Sequence, residues 1–363
     1  MKILFVISCL SYGGAEKNLM LVANYLCQKH DVMLCDFNEH KIIQTVSNNI
    51  DFYQMNEWVC TKKKYDWVYK RIEQYKYLKS ICLNKRPDVI VSFLPIPNAL
   101  SVVCGKKLKI PVIISERADP YQSTSKLDVI LHKIYNKADG AVFQTEGAKK
   151  FYGKKLQKKS IIIPNPVLIK NNIEEHDYSV QNNEIAFVGR FEIRQKRQDL
   201  AIEALRIVKK IYPNVKLIFY GDGPDTDLIK ELVNKYNLQE SVYFAGAINN
   251  VHTSINKSEI FLMTSDYEGI PNALIEAMSI GMPCISTDCS PGGAKLLTQN
   301  GQDGILVECG NIDDISNAII RLFGSENLRK EYGERAKEIT DRFSMKHIMD
   351  LWDKYISRYE HNL

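Results

Sequence analysis

Short β-rich apolar runs alternate with longer stretches of helical periodicity along the first half of the chain, a pattern that predicts a doubly wound parallel sheet. Strands are expected at Ile3 to Ser8, Val32 to Phe37, Val89 to Phe93, Val112 to Ser115, Ala141 to Gln144 and Ile161 to Ile163, with a helix from Gly14 to Lys29 after the first of them. The polar stretch Lys170 to Asn183 interrupts the pattern and reads as a linker. The alternation then restarts, with strands expected at Glu184 to Val188, Val215 to Tyr220, Val242 to Ala245, Ile260 to Thr264 and Cys284 to Thr287. Helices are expected between them at Asp199 to Tyr212, Asp225 to Tyr236 and Ala273 to Ile280.

The fold class this implies is α/β, with two Rossmann-like domains facing a central cleft: residues 1–168, a linker over 169–183, and residues 184–339. The stretch Glu326 to Tyr359 reads as helical, and its end, about 340–363, is expected to cross back onto the first domain. Ligands of open parallel sheets sit outside the carboxyl ends of the strands, so the chemistry is sought in the loops that follow them.

With 363 residues, 45% hydrophobic and 25% charged, the chain has enough material for two domains, and disorder is not the first reading. The nine cysteines form no CxxC pair and no zinc-ligand spacing with His, so they read as buried free thiols in a reducing cytoplasm. The opening MKILFVISCL resembles a signal peptide, but Ser8 interrupts it and no cleavage site follows, so a first strand is the better reading. No segment reaches the roughly 18 uninterrupted apolar residues of a membrane span. The nearest approach, Val89 to Cys104, is broken by Pro95, Pro97 and Asn98.

The net charge of +5 is uneven: nine Lys or Arg fall between Lys62 and Arg86 against Asp66 and Glu73, and Lys149 to Lys159 adds a second basic run. An acidic partner should therefore meet the N-terminal half.

Four loops could receive an anion. Gly13 and Gly14, between the first strand and helix, let a backbone approach a ligand at a helix start. Arg190 leaves the strand that ends in Val188-Gly189, and Lys196 follows just before a helix, so both cations could reach one anion; Arg194 and Arg197 read as solvated surface cations. Gly221-Asp222-Gly223-Pro224 does not complete a dinucleotide fingerprint, since Thr226 stands where its last Gly would be. Asp225 and Asp227 form a DxD pair, but they fall in the first turn of a helix, where its dipole favours carboxylates, and no metal is expected. The fourth loop is EGIPNALIEA, residues 268 to 277. Amides of Gly269, Ile270, Asn272, Ala273 and Leu274, with Pro271 opening the helix, would face a diphosphate or sugar hydroxyls. Glu268 and Glu276, with seven residues between them, flank that array, and Glu276 stands in an apolar run where a carboxylate is costly without a polar partner.

These motifs together resemble the family-four retaining glycosyltransferases of the GT-B fold. The likeness rests on GGAE at 13–16, Gly189-Arg190 with Lys196, GDGP at 221–224, EGIPNALIE at 268–276 and the stretch Gly301 to Val307. It implies that Arg190 and Lys196 contact a UDP-sugar's diphosphate and that Gly269 to Leu274 complete the cradle. It further implies that Glu276 binds the ribose hydroxyls, that Glu268 sits by the donor sugar, and that Val251, in the loop Gly246 to Val251, packs near the base. No cofactor or metal is implied. Where many members carry a His, the stretch Ser115-Glu116-Arg117 has Arg117. Glu268 either attacks the sugar or orients it; orientation is favoured, because the leaving phosphate can act as base toward the acceptor hydroxyl.

The resemblance also implies a lipid-linked saccharide as acceptor, in capsule, exopolysaccharide or O-antigen synthesis, and a peripheral place on the inner face of a bacterial membrane. Helical spacing puts Tyr65, Val68, Ile72, Tyr75 and Cys82 on one face, toward the sheet. The opposite face, near Trp67, Lys70, Arg71 and Tyr77 with Trp58 upstream, suits an anionic membrane surface. Nucleic acid is a poorer partner, since no recognised motif accompanies the charge. Two rival readings stand beside the transferase: a UDP-sugar epimerase of the same fold, and a non-catalytic nucleotide-binding partner of another transferase.

Overall fold

The computed structural model of the chain describes residues 1–10, 13–38, 45–55, 66–122, 125–168, 174–248 and 250–360. Trp58, and Lys62, Lys63, Lys64 and Tyr65 of the basic stretch, lie outside the described residues. Contacts divide the chain into two compact units, Met1–Asn165 with Lys346–Leu363, and Pro166–Met345.

The first unit is built on strands β1 (Lys2–Ile7), β2 (Asp31–Asp36), β3 (Ile50–Gln54), β4 (Val89–Phe93), β5 (Val112–Ser115), β6 (Gly140–Phe143) and β7 (Ser160–Ile162). All pair in parallel, in the order β3-β2-β1-β4-β5-β6-β7. Ile3 to Ile7 are 0% exposed, as an unbroken apolar run must be when a parallel strand is covered on both faces. Two of the elements that were not foreseen have a plain cause. β3 has little apolar character, and the helix Pro95–Leu108 occupies the stretch whose prolines suggest a break. Pro95 lies in the first turn, where a missing N–H leaves no helix bond unmade.

The end of the chain completes this unit. From the helix Met345–Ile356, Trp352 is 0% exposed and stacks on Phe93 with ring centroids 5.6 Å apart. Asp353 lies 2.8 Å from both Lys29 and His30. The Tyr355 hydroxyl accepts from the Ala141 N–H at 3.0 Å and donates to the Lys159 carbonyl. Tyr355→Phe should strand that buried strand amide, at a cost of about 1–3 kcal/mol. Melting should register this as a midpoint lowered by about 2–10 °C; an unchanged midpoint would show that the hydroxyl is not holding the helix in place.

The second unit contains β8 (Glu184–Val188), β9 (Lys216–Tyr220), β10 (Val242–Gly246), β11 (Ile260–Met263), β12 (Cys284–Thr287) and β13 (Ile305–Val307), parallel in the order β10-β9-β8-β11-β12-β13. The strand order turns back between β8 and β11, which pair at Ile185–Ile260 and Ala186–Phe261. A crevice therefore opens at the carboxyl ends of these two strands. Both units are Rossmann-like, so the α/β reading holds.

Residues 174–183 are not a free connector. His176 is 5% exposed and its N–H donates to the Ile280 carbonyl, while Arg329 donates to the Tyr178 and Val180 carbonyls. Composition alone read this stretch as solvated because its polar groups face partners that are far away in sequence. The cysteines also divide: Cys35, Cys82, Cys104, Cys284 and Cys289 are buried, but Cys309 is exposed.

Candidate functional site

The loops after β8 and β11 are stitched together at the switch point. Thr264, just past β11, donates its hydroxyl to the Lys196 and Arg197 carbonyls at 3.0 and 2.8 Å. The Asp266 N–H donates to the Gln195 carbonyl at 2.9 Å, and the Gln195 amide donates to the Tyr267 carbonyl at 3.2 Å. Arg197 sits between the short helix Ile193–Lys196 and the helix Gln198–Val208 in the left-handed region, at φ 53°. A non-glycine residue adopts that conformation only where its surroundings enforce it. Here they do: its guanidinium donates to both Asp199 and Asp266, each at 2.9 Å at the nearest, and Asp199 first, then Asp266, raise its pKa against the pull of burial. Arg197 is therefore not a solvated surface cation. Its two carboxylates come from different loops, a pairing that a solvated reading based on local sequence does not contain.

This stitching brings Lys196 to Glu268. The Lys196 ammonium donates to Glu268 Oε1, the Ser265 hydroxyl donates to the same oxygen at 2.8 Å, and the Ser265 carbonyl accepts from the Thr287 hydroxyl at 2.5 Å. The Glu268 N–H donates to the Ser290 carbonyl at 2.8 Å, fixing the loop from the other side. Glu268 is 8% exposed and Ser265 0%. Such enclosure is tolerable for a carboxylate because a cation and a hydroxyl meet it. Ser265 and Thr287 went unnoticed in the sequence, since a Ser and a Thr at strand ends carry no signal of their own.

The two expected cations part company. Lys196 lies along Gly189, where a Cβ would come within 3.5 Å of its side-chain carbons. The Arg190 side chain is 68% exposed, with Glu192 3.9 Å away, so among the described residues the two cations share no partner. The glycines of the neighbouring loop serve close packing. A Cβ on Gly221 would lie 2.0 Å from the Gly189 carbonyl oxygen, and one on Gly223 would lie 2.3 Å from that of Phe191. Asp225 Oδ2 accepts from the Ile193 N–H at 2.8 Å and precedes the helix Thr226–Lys235, a structural use of that carboxylate. Among the described residues no cluster of three His, Cys, Asp or Glu could hold a metal ion.

After Glu268 the chain enters the helix Asn272–Ser279 through Gly269, Ile270 and Pro271, and Pro271, at the cap position, makes no side-chain cap hydrogen bond. Its first amides have no intrahelical carbonyl to meet. Gly293 packs so closely that a Cβ there would lie 2.1 Å from the Gly269 carbonyl oxygen. Ile270 and Leu274 are buried, Ala273 is half-buried and Asn272 is exposed. Glu276 is half-buried, so the enclosed carboxylate of the pair is Glu268, not Glu276 as the apolar run suggests. The helix turns its apolar face inward with Leu274, Ile275, Ala277 and Met278, and position 276 falls at that face's edge. Val251 opens the helix Val251–Ile255 after β10.

In the first unit, Glu16 folds back on the glycine pair, and a Cβ on Gly13 would meet its Oε2 at 2.0 Å. Gly14 begins the helix Gly14–Leu26, while Ser11 and Tyr12 lie outside the described residues. Arg117 is turned onto the Phe93 and Trp352 rings, at 5.3 and 5.6 Å, and donates to Asn18 Oδ1 and to the Ile163 carbonyl. On the helix Asp66–Lys85 the inward face is Gln74, Leu78, Ile81 and Cys82, and Ile72 is 42% exposed. The inward face is thus rotated from the expected one, because Gln74 can face inward once Arg71 Nη1 meets its Oε1 at 2.6 Å.

Residues 169–339 match the family described as glycosyl transferases group 1. Over 98% of both chains the sequence is 27% identical to the Campylobacter jejuni GalNAc-alpha-(1->4)-GalNAc-alpha-(1->3)-diNAcBac-PP-undecaprenol alpha-1,4-N-acetyl-D-galactosaminyltransferase. It is also 27% identical to an uncharacterized glycosyltransferase of Haemophilus influenzae, over 96% of this chain and 97% of that one. Among solved structures, the lipopolysaccharide outer core galactosyltransferase WaaB superposes with a TM-score of 0.81 at 20% identity, covering 99% of each chain. Anabaena HepE in complex with UDP-glucose superposes with a TM-score of 0.78 at 17% identity, covering 99% of this chain and 100% of that one. These likenesses show the GT-B fold and a glycosyltransferase, whose residues 169–339 are similar to the glycosyl transferases of group 1.

Proposed function

We propose that the chain transfers a hexose or N-acetylhexosamine, with retention and without a metal, from a UDP-sugar to a saccharide joined through diphosphate to a polyprenyl lipid. Its place would be peripheral, on the anionic inner face of a bacterial membrane, in surface polysaccharide or glycan synthesis. The observation that carries this reading is the meeting of Lys196 and Glu268 at the β8/β11 switch point, beside the start of the helix Asn272–Ser279, where Pro271 offers no side-chain cap. Breaking the bond from sugar to phosphate builds negative charge on the leaving diphosphate. Lys196, Arg190 and the amides of residues 269–274 are the groups to meet it, and one such electrostatic partner is typically worth about 100-fold to 1,000-fold in rate.

Glu268 suits an orienting role better than that of a nucleophile. Its Oε1 already accepts from Ser265 and Lys196, so the carboxylate is held in place with that oxygen's lone pairs engaged. HepE holding UDP-glucose supports the donor class, and the Campylobacter relative, named for an undecaprenol-diphosphate glycan, supports the acceptor class. Incubating the purified chain with a panel of UDP-sugars and a short-chain polyprenyl-diphosphate saccharide should give an acceptor heavier by a sugar, with UDP released, unaffected by a chelator. An isomerised UDP-sugar with unchanged acceptor would overturn the reading in favour of an epimerase.

A further inference from the structure

On the first unit a groove of about 270 Å³ opens between the helices Asp66–Lys85 and Pro95–Leu108. Trp67, Ile72, Tyr75, Leu100 and Val103 form its walls, and Arg71 is the charged residue that lines it. Trp67, Ile72 and Val103 are 60%, 42% and 46% exposed, so this apolar surface faces solvent. A contiguous patch of that kind marks a binding surface more often than an isolated exposed apolar residue does.

Arg71 adds the second observation. Its guanidinium is half-buried and donates to Gln74 Oε1 at 2.6 Å, and among the described residues it has no carboxylate partner at ion-pair distance. Burial pulls its pKa down, the sign of a charge short of compensation. An apolar trough with one partly desolvated cation in its wall complements a ligand that is aliphatic along its length and anionic at one end. Trp67 and the 51%-exposed Tyr69 fit the same picture, as aromatic rings with a polar edge gather where apolar and aqueous phases meet. A peptide would bring backbone amides that need hydrogen-bonding partners, and the walls carry few.

We infer that this groove binds a single lipid chain carrying a phosphate or diphosphate head, the chain lying along Trp67, Ile72, Leu100 and Val103 and the head on Arg71. The occupant to which this commits is the polyprenyl diphosphate of the acceptor, an identification that rests on the proposed function; the binding does not. The groove would then hold the acceptor by its lipid and leave the saccharide end free to react.

The test is tryptophan quenching by monomeric ω-bromoalkyl phosphates in a Trp58→Phe background, where Trp67 is the surface reporter and Trp352 is fully buried. Quenching should saturate, and each added methylene should tighten binding about fourfold. Val103→Glu and Ile72→Glu change exposed positions, should leave melting unchanged and should weaken binding by at least about tenfold. Arg71→Gln should weaken the phosphates by about tenfold and leave the matching bromoalkyl alcohols unaffected. Absence of saturable quenching, indifference to the two glutamates, or quenching only by brominated lipid within anionic vesicles would overturn the site. Transfer to a lipid-linked acceptor without alkyl phosphate binding would sink the groove and leave the proposed function standing. Binding without such transfer would do the reverse.

Discussion

Glu268→Ala is expected to lower transfer turnover by about 100-fold to 1,000-fold, the usual loss when a preorganised polar group is removed from the reacting centre. The carboxylate is 8% exposed and fixed on three sides, by the Ser265 hydroxyl, the Lys196 ammonium and the backbone bond to Ser290. Water is a poor substitute in such a place, because it would have to reproduce both a charge and an orientation. The same change frees Lys196 from its partner, so UDP should bind as tightly as before or more tightly. Steady-state turnover and equilibrium UDP binding on the same preparation check both halves. A fall in UDP affinity matching the fall in turnover would mean that Glu268 serves the nucleotide and not the sugar.

The second large effect concerns stability. Arg329 and Glu259 form an ion pair at 3.0 Å with side chains 1% and 2% exposed. Burial raises the pKa of Glu259, and the charge of Arg329 opposes that rise. Arg329 also donates to the Leu322 carbonyl at 2.8 Å and the Phe323 carbonyl at 3.3 Å, closing the end of the helix Ile312–Phe323. Arg329→Ala leaves a buried carboxylate and these carbonyls without their partner, a loss of about 3–5 kcal/mol. For a unit of this size that lowers the melting midpoint by about 6–20 °C. Replacing Arg329 by Met and Glu259 by Leu together should recover part of the loss, since the charge is gone but the helix end stays open. A double variant no better than Arg329→Ala would place the cost in the carbonyls and not in the stranded charge.

Much of the fold was legible because both sheets are parallel and buried on both faces. Their strands are continuous apolar runs such as Ile3 to Ile7 and Ile260 to Met263, and these stand out in any sequence. β3 was not legible because an edge strand needs less apolar surface, and Pro95–Leu108 was not because proline marks a break everywhere except in a helix's first turn.

For the site, the loops that follow strands were found by topology, and Lys196 and Glu268 do lie together. Their partners were out of reach. Nothing local tells Arg197 from a surface cation, because Asp266 reaches it only once β8 and β11 are side by side. Glu276 is less enclosed than its apolar run suggests for a similar reason: exposure at a helix edge depends on where the helix axis lies, which the apolar pattern leaves open by one position. Gln74 shows it again, since it is buried on the inward face of its helix, where Arg71 meets its amide oxygen, and the apolar pattern does not mark a polar residue there.

We propose that one segment divides its work, with Glu276 serving the nucleotide and Glu268 the sugar. Its most direct test is UDP affinity and saturated turnover measured side by side for Glu268→Ala and Glu276→Ala. Glu276→Ala should weaken UDP by about 10-fold to 100-fold, the worth of a lost hydrogen bond to a charged group, with turnover at saturating donor largely kept. Glu268→Ala should show the opposite pattern. Equal losses in both quantities for both variants, or wild-type turnover without Glu268, would contradict it.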